Sequence, residues 1–248
     1  MLPRLMLVMV TLATLSLAGQ GPAASAPLDD RSAAAAVRRF NEMANAAAQA
    51  GSLPRIADPA VRQVLEAAWD RKLTDPHRRA GADDVLVLAR FCEAGASVWQ
   101  RYTDFVPRGR ARADVKANIA TFGDEIMPGL AFSARCTATL MEATVAYLAR
   151  LPADQRTETR QDGLDRVRIG ASQVARGLLT TMDESPIPPA HAAILAAALT
   201  EVAPRLAAGL EPAQRRAVAA RARQAAGVAH LGTVRPALVA FAQRVDAP

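Results

Sequence analysis

Two cysteines, Cys92 and Cys136, are the residues of this 248-residue chain whose type and number most directly predict chemistry. No other cysteine is present, and an even number in a chain with an export signal favours a structural disulfide. Both also lie on apolar stripes of predicted helices, where free cysteines pack well. The alternatives are therefore a disulfide, two buried free thiols, or a catalytic or metal-binding use. We expect the disulfide.

The predicted helices restrict how this bridge can form, because linked Cα atoms lie within about 7 Å of each other. One straight helix through Pro128 would place Cys92 roughly 20 Å, and Cys136 roughly 36 Å, from the hairpin that joins that helix to the preceding one. A reversal of the chain between Gly123 and Gly129 would reduce the difference to about 8 Å. We therefore expect the chain to reverse at this point.

The three histidines, His77, His191 and His230, are widely separated in the sequence. The chain has neither a His-x-x-x-His nor a Cys-x-x-Cys pair, the spacings that would place two metal ligands on one helix face. We expect solvated or helix-capping histidines, and no metal ion or other cofactor. A metal site assembled from residues distant in the sequence stays an alternative.

The sequence also lacks the common motifs of nucleophilic and phosphate chemistry, namely Gly-x-Ser-x-Gly, Ser-x-x-Lys and the phosphate-binding loop. Asp124 and Glu125, next to Gly123, could form an acidic pair at the rim of a pocket. The simpler interpretation is that these carboxylates are exposed and cap a break in a helix. The motifs therefore favour a non-catalytic protein, and an enzyme with scattered acidic residues is the alternative.

Arginine supplies nearly all of the positive charge, since Lys72 and Lys116 are the only lysines among 30 basic residues. Arginines outnumber acidic residues in the last third of the chain, and a basic face there could hold anionic lipid headgroups or an acidic partner. A solvated helix surface is the simpler interpretation. The candidate basic face consists of Arg215, Arg216, Arg221 and Arg223.

Aromatic residues are few, with 6 Phe, 2 Trp and 2 Tyr. Because proteins that bind single-stranded nucleic acid need aromatic stacking platforms, this composition argues against a nucleic-acid partner. Most of the aromatic residues lie between Phe91 and Tyr147, so the thickest core and any apolar pocket are expected there. The candidate pocket residues are Phe91, Trp99, Tyr102, Phe122, Phe132 and Tyr147.

The elements that must position these residues are predicted to be helices. The chain shows no sustained period-2 alternation and no Asn-Gly or Asp-Gly hairpin turn, since its one Asp-Gly pair, at Asp162, lies inside a helical pattern. It is also rich in helix-forming alanine, leucine, arginine and glutamine. Apolar spacings of three and four predict amphipathic helices, most clearly over 83–103, 113–126 and 153–182. We therefore predict an all-α, soluble bundle of about seven to nine helices. Gly163, Gly170 and Gly177 recur every seven residues and indicate close backbone approach.

The first 26 residues predict export. One positive charge, Arg4, precedes an apolar run that ends in Ala24-Ser25-Ala26, the small-x-small pattern of a signal peptidase site. The run, about fourteen residues, is shorter than the roughly 20 that span a membrane. We expect a cleaved signal peptide, no transmembrane span and a periplasmic or secreted product, whose net charge falls from +6 to +5 because Met1–Ala26 contains Arg4 and no acid.

The predicted organisation is a signal peptide over 1–26, a main helical bundle over 27–184 and a C-terminal helical segment over 190–248, packed on the same bundle. The leading functional hypothesis is an exported, non-catalytic module that binds a partner protein or a small ligand. One alternative is an enzyme of unrecognised family. Another is an envelope-associated protein that uses the arginine-rich C-terminal face.

Overall fold

The computed structural model describes residues 29–75, 82–184 and 187–247. Outside them lie the predicted signal peptide 1–26, His77 and the first two residues of the proline-rich stretch at 185–186. The described residues form eight α-helices and no strand, which confirms the predicted all-α bundle. The helices are α1 (Arg31–Gln49), α2 (Pro59–Ala68), α3 (Ala82–Thr103), α4 (Val115–Arg150), α5 (Glu158–Glu184), α6 (Pro189–Gly209), α7 (Pro212–Ala226) and α8 (Arg235–Asp246).

Helix starts follow from local sequence. Before α2, the Asp58 carboxylate accepts a hydrogen bond from the Ala60 amide at 2.8 Å, and Pro59 occupies the first turn, where a missing N–H has no cost. Before α4, the Asp114 carboxylate accepts from the Ala117 amide at 3.1 Å. These side chains satisfy backbone donors that have no partner inside the helix.

Helix α4 is central, and it packs against α3, α5 and α6. Helix α1 packs against α2 and α3 on one side, while α8 packs against α6 and α7 on the other. The buried apolar residues form one cluster that includes side chains from α1 through α8. The most apolar helix, α6, is long and apolar enough to cross a membrane, but 56% of its most apolar window is buried inside the bundle.

The predicted reversal between Gly123 and Gly129 is wrong. Helix α4 continues through Pro128 to Arg150, and it bends at Phe122, whose φ and ψ of −114° and 25° lie outside the helical range. A proline inside a helix removes one hydrogen bond and crowds the preceding turn, and a nearby bend relieves that crowding. The residues predicted as two separate helices therefore form one bent helix.

The bend changes how α4 lies relative to α3. The Asn118 side-chain amide donates to the Thr103 carbonyl at 2.9 Å, and the Trp99 indole N–H donates to the Ser133 hydroxyl, also at 2.9 Å. Thr103 and Trp99 are about one helical turn apart, whereas Asn118 and Ser133 are about four turns apart. The first turns of α4 must therefore cross the end of α3 instead of running along it.

This offset explains how Cys92 and Cys136 meet without a chain reversal. Their Cα atoms lie 5.5 Å apart and their Sγ atoms at bonding distance, so the predicted disulfide is confirmed. The estimate that excluded an unbroken helix assumed that α4 runs alongside α3 from its first residue. Because the turns of α4 before Phe122 cross the end of α3 instead of running along it, Cys136 lies beside Cys92.

Close backbone approach occurs between α3 and α4, and the glycines that permit it are Gly95 and Gly129. A methyl group at Gly95 would lie 2.3 Å from the Phe132 ring, and one at Gly129 would lie 2.5 Å from Trp99 Cβ. At Gly163 and Gly170 it would meet no atom within 4 Å. The close approach predicted from the heptad glycine spacing is therefore wrong at those two positions, because that side of α5 faces open space.

Candidate functional site

The six aromatic residues predicted to line a pocket separate into different groups. Phe91 and Phe132 meet edge to face with centroids 5.1 Å apart, near the disulfide. Tyr102 and Phe122 lie 5.4 Å apart at the other end of α3. Trp99 is buried, whereas Tyr147 is partly buried. The rings of these two pairs contact each other directly, and an apolar pocket lined by the six residues stays a prediction.

Around Tyr102 the core contains a polar layer. The Tyr102 hydroxyl donates to the Pro54 carbonyl at 2.9 Å, which ties the α1–α2 connection to α3. Burial raises the pKa of Tyr102 far above its usual value, and the charge of Glu125 raises it further. The hydroxyl therefore stays protonated and serves as a donor.

Glu125 is the most enclosed carboxylate of this layer, with no exposed surface. Its Oε1 atom accepts from the Ile56 amide at 2.8 Å and lies 3.1 Å from Arg55 Nε. Its Oε2 atom is buried and has no hydrogen-bond partner among the described residues. The Arg55 guanidinium also lies over the Phe122 ring, 5.0 Å from its centroid. Glu125 thus fastens the α1–α2 connection to the bend of α4.

The two neighbouring acids predicted as a pair take different environments. Asp124 is exposed, and its Oδ1 atom lies 2.8 Å from Nε2 of His191 in the first turn of α6. The His191 side chain is only 13% exposed, so it is a packed residue and not a solvated one. His230 donates to the Met182 carbonyl at 2.8 Å. Each acid and histidine named here therefore contacts a neighbouring element.

A second charged cluster joins α4 and α6. Arg71 and Arg135 both contact Glu201 Oε2, at 3.0 and 2.8 Å. Burial by itself raises the pKa of Glu201, but the hydrogen bond and charge of Arg135, with the charges of Arg71 and Arg205, hold it below its usual value. Arg205 is buried and donates to the Thr139 hydroxyl. This cluster stabilises contacts between helices.

The predicted basic face is largely engaged within the protein. Arg221 lies 2.5 Å from Asp183 of α5, and Arg223 lies 2.6 Å from Asp246 of α8. Arg215 donates to the carbonyls of Ala207 and Ala247. Arg216 is exposed. Three of the four guanidinium groups therefore make intramolecular contacts, and use of this face for binding stays a hypothesis.

The connection between α3 and α4, together with the first two residues of α4, carries a different set of basic side chains, which we call the basic loop and define as residues 106–116. Arg108, Arg110, Arg112 and Lys116 are all exposed. Arg108 donates to the Gln49 carbonyl at the C-terminus of α1, where a cation is favourable. The Arg110 amide donates to the Pro107 carbonyl at 3.1 Å, but the guanidinium groups of Arg110 and Arg112 make no ion pair or hydrogen bond within the described part of the chain.

No family model, curated protein or solved structure matches this chain.

Sequence reasoning missed the basic loop, although the run Arg108-Gly-Arg-Ala-Arg112 is visible in the sequence. A helix–helix connection of this length is at the long end for a bundle, and long ordered loops frequently bind other molecules. Guanidinium groups bind carboxylates or phosphates through paired hydrogen bonds. Among the described residues, no group of three or more His, Cys, Asp or Glu could hold a metal ion. The exposed guanidinium groups of the basic loop could therefore bind an anionic group.

Proposed function

We propose that this chain is an exported, non-catalytic helical module that binds a partner protein through the basic loop. The observation that carries the proposal is the exposure of Arg110 and Arg112 without a partner in the described part of the chain. A charged side chain that is not needed to stabilise the fold is available to an external ligand. Arginine is also enriched in protein–protein interfaces.

The fold supports binding because hydrogen bonds hold the basic loop where the chain leaves α3 and at Arg108. Asn118 donates to the carbonyls of Thr103 and Phe105 where the loop leaves α3. Arg108, the third residue of the loop, donates to the Gln49 carbonyl at the end of α1. A loop held in one conformation loses less entropy on binding than a loose one.

The enclosed polar groups support a non-catalytic role. Tyr102 and Glu125 are buried and bind backbone groups of the α1–α2 connection. Neither side chain has exposed surface that a substrate could contact. The hydrogen bonds of Tyr102 and Glu125 connect helices α3 and α4 to the α1–α2 connection, which is a structural role.

Export is supported by the N-terminal sequence pattern and by the disulfide, a bond typical of proteins in oxidising compartments. Chain recovered from the periplasm of the producing cell should lack Met1–Ala26 and begin at Pro27 when its intact mass is measured. Recovery of the full-length chain in the membrane fraction would contradict export as a cleaved product.

Binding is tested by site-specific photo-crosslinking of the full exported chain in living cells. A photoreactive amino acid at Ala111, in the basic loop, should give a discrete protein adduct on irradiation. The same amino acid at exposed Ala240 of α8 is the matched control and should not give that adduct. Absence of an adduct at Ala111, or identical adducts at both positions, would overturn the proposed function.

A further inference from the structure

We infer that the segment of the partner that contacts the basic loop is acidic, a stretch of aspartate or glutamate residues whose carboxylates pair with Arg110 and Arg112. This inference rests on the proposed function and specifies the chemistry of its partner. Four basic side chains and one acid, Asp114, give residues 106–116 a net charge of +3. The Asp114 carboxylate accepts from the Ala117 amide and forms no ion pair with Arg110 or Arg112 within the described part of the chain.

The arginines of α7 and those of the basic loop differ in their acidic neighbours. Two arginines of α7 contact acids on other helices, Arg221 with Asp183 and Arg223 with Asp246. In the basic loop, Arg110 and Arg112 have no such acid within contact distance among the described residues. An acidic segment supplied by another protein would give them the kind of partner that the fold gives to the α7 arginines.

The apolar side chains of the loop favour a protein over a membrane surface. Val106 and Val115 are its exposed large apolar residues, each 43% exposed, and they are short. The neighbouring Phe105 packs edge to face against Phe122, 5.7 Å away, so its ring is held by the core. Stable binding to lipid needs larger apolar side chains in the acyl boundary in addition to charge.

Guanidinium geometry also suits the carboxylates of a peptide segment. The planar fork of arginine makes two parallel hydrogen bonds to one carboxylate, an arrangement that adds geometric specificity to charge. Arg110 and Arg112 are two residues apart, so their Cα atoms lie at most about 7 Å apart. In an extended peptide, side chains at i and i+2 lie on the same side at a similar separation. Two carboxylates spaced in that way match the pair.

The test uses the complete mature chain with its disulfide intact and fluorescein-labelled oligoglutamate as the probe. We expect fluorescence anisotropy to show saturable binding that weakens severalfold as salt rises to about 0.15 M. Arg110→Gln/Arg112→Gln should weaken it by about tenfold. The matched control Arg216→Gln/Arg244→Gln removes the same charge from exposed positions elsewhere and should retain nearly wild-type affinity. Circular dichroism should show all variants folded.

Three results would overturn the inference: no binding of oligoglutamate to the wild type, equal weakening by the loop and control variants, or tighter binding to phosphatidylglycerol vesicles that depends on the loop arginines. The crosslink at Ala111 separates this failure from failure of the proposed function. An adduct that persists in Arg110→Gln/Arg112→Gln would leave partner binding standing while excluding an acidic contact. Absence of the Ala111 adduct in the chain with both arginines present would contradict the proposed function itself.

Discussion

At the scale of single residues, Glu125 shows how a buried charge can specify position more than stability. A carboxylate without solvent exposure loses its hydration, and the nearby Arg55 side chain, itself 43% exposed, compensates for that loss only in part. The Ile56 amide adds one hydrogen bond to Oε1, and Oε2 receives none from the described residues. Glu125 therefore determines where the α1–α2 connection contacts α4, at a considerable desolvation cost.

A pair of substitutions separates these contributions. Glu125→Gln keeps an oxygen acceptor for the Ile56 amide and removes the buried charge, so we expect the free energy of unfolding to fall by less than about 1 kcal/mol. Glu125→Ala leaves that amide unpaired and opens a cavity, and should cost about 2–3 kcal/mol. Denaturant unfolding monitored by circular dichroism measures both. Equal losses in the two variants would show that the charge itself stabilises the fold.

At the scale of elements, the contact between α3 and α4 depends on residues without side chains. Gly95 lies against the Phe132 ring, and Gly129 lies against Trp99. The Trp69 indole N–H donates to the Gly95 carbonyl at 2.9 Å, which holds a third aromatic residue at the same place. Large rings fill the space that the glycines leave, and this packing brings the two cysteines together.

Two glycine-to-alanine substitutions should have opposite effects. Gly95→Ala would force the methyl group into Phe132, and such overpacking should lower the free energy of unfolding by about 1–3 kcal/mol. Gly163→Ala adds a methyl group in open space within α5, and its greater helix propensity should raise stability by about 0.5–1 kcal/mol. Thermal unfolding of both variants beside the wild type tests this. Stabilisation by Gly95→Ala would contradict the close approach described here.

The helices could be predicted from the sequence because apolar spacing and helix caps are local. The bent course of α4 could not, because the cost of Pro128 in a helix is offset by packing against α3, α5 and α6, which lie far away in the sequence. The disulfide was predicted from the number of cysteines and the expected compartment, whereas the route proposed for it, through a chain reversal, was wrong.

The candidate site was missed for a similar reason. Arginines were counted by segment, and the last third of the chain has the larger excess. Whether an arginine is available for binding depends on acids that other helices supply, as Asp183 of α5 does for Arg221. That pairing appears only in the folded chain. Arg110 and Arg112, in the shorter run, are exposed, and no acid among the described residues contacts their side chains.

At the scale of the whole molecule, the disulfide cross-links α3 and α4 in addition to the backbone that connects them, and it joins residues 44 apart in the sequence. Closing a loop of this length restricts the unfolded chain by about 4 kcal/mol in the chain-entropy model. That is a large part of the roughly 5–15 kcal/mol that stabilises a typical domain. The bundle is therefore expected to depend on its redox environment.

We expect a reducing agent to lower the thermal unfolding midpoint of the wild type, because the unfolded chain regains the freedom that the bridge removes. Cys92→Ser/Cys136→Ser should unfold at a lower temperature than the oxidised wild type, with a midpoint that reductant does not change. Differential scanning calorimetry with and without reductant measures both. Titration of two free thiols in the unfolded, non-reduced wild type would show that the bond is not formed.

The same bridge has a consequence for proteolysis, since the covalent ring between Cys92 and Cys136 contains the whole basic loop. Exposed loops rich in arginine are preferred cleavage sites for trypsin-like proteases. A cut after Arg110 would open the ring without separating the chain, because the sulfur–sulfur bond would still hold the two parts together. The nicked protein would remain one molecule in an oxidising compartment and would fall into two fragments only after reduction.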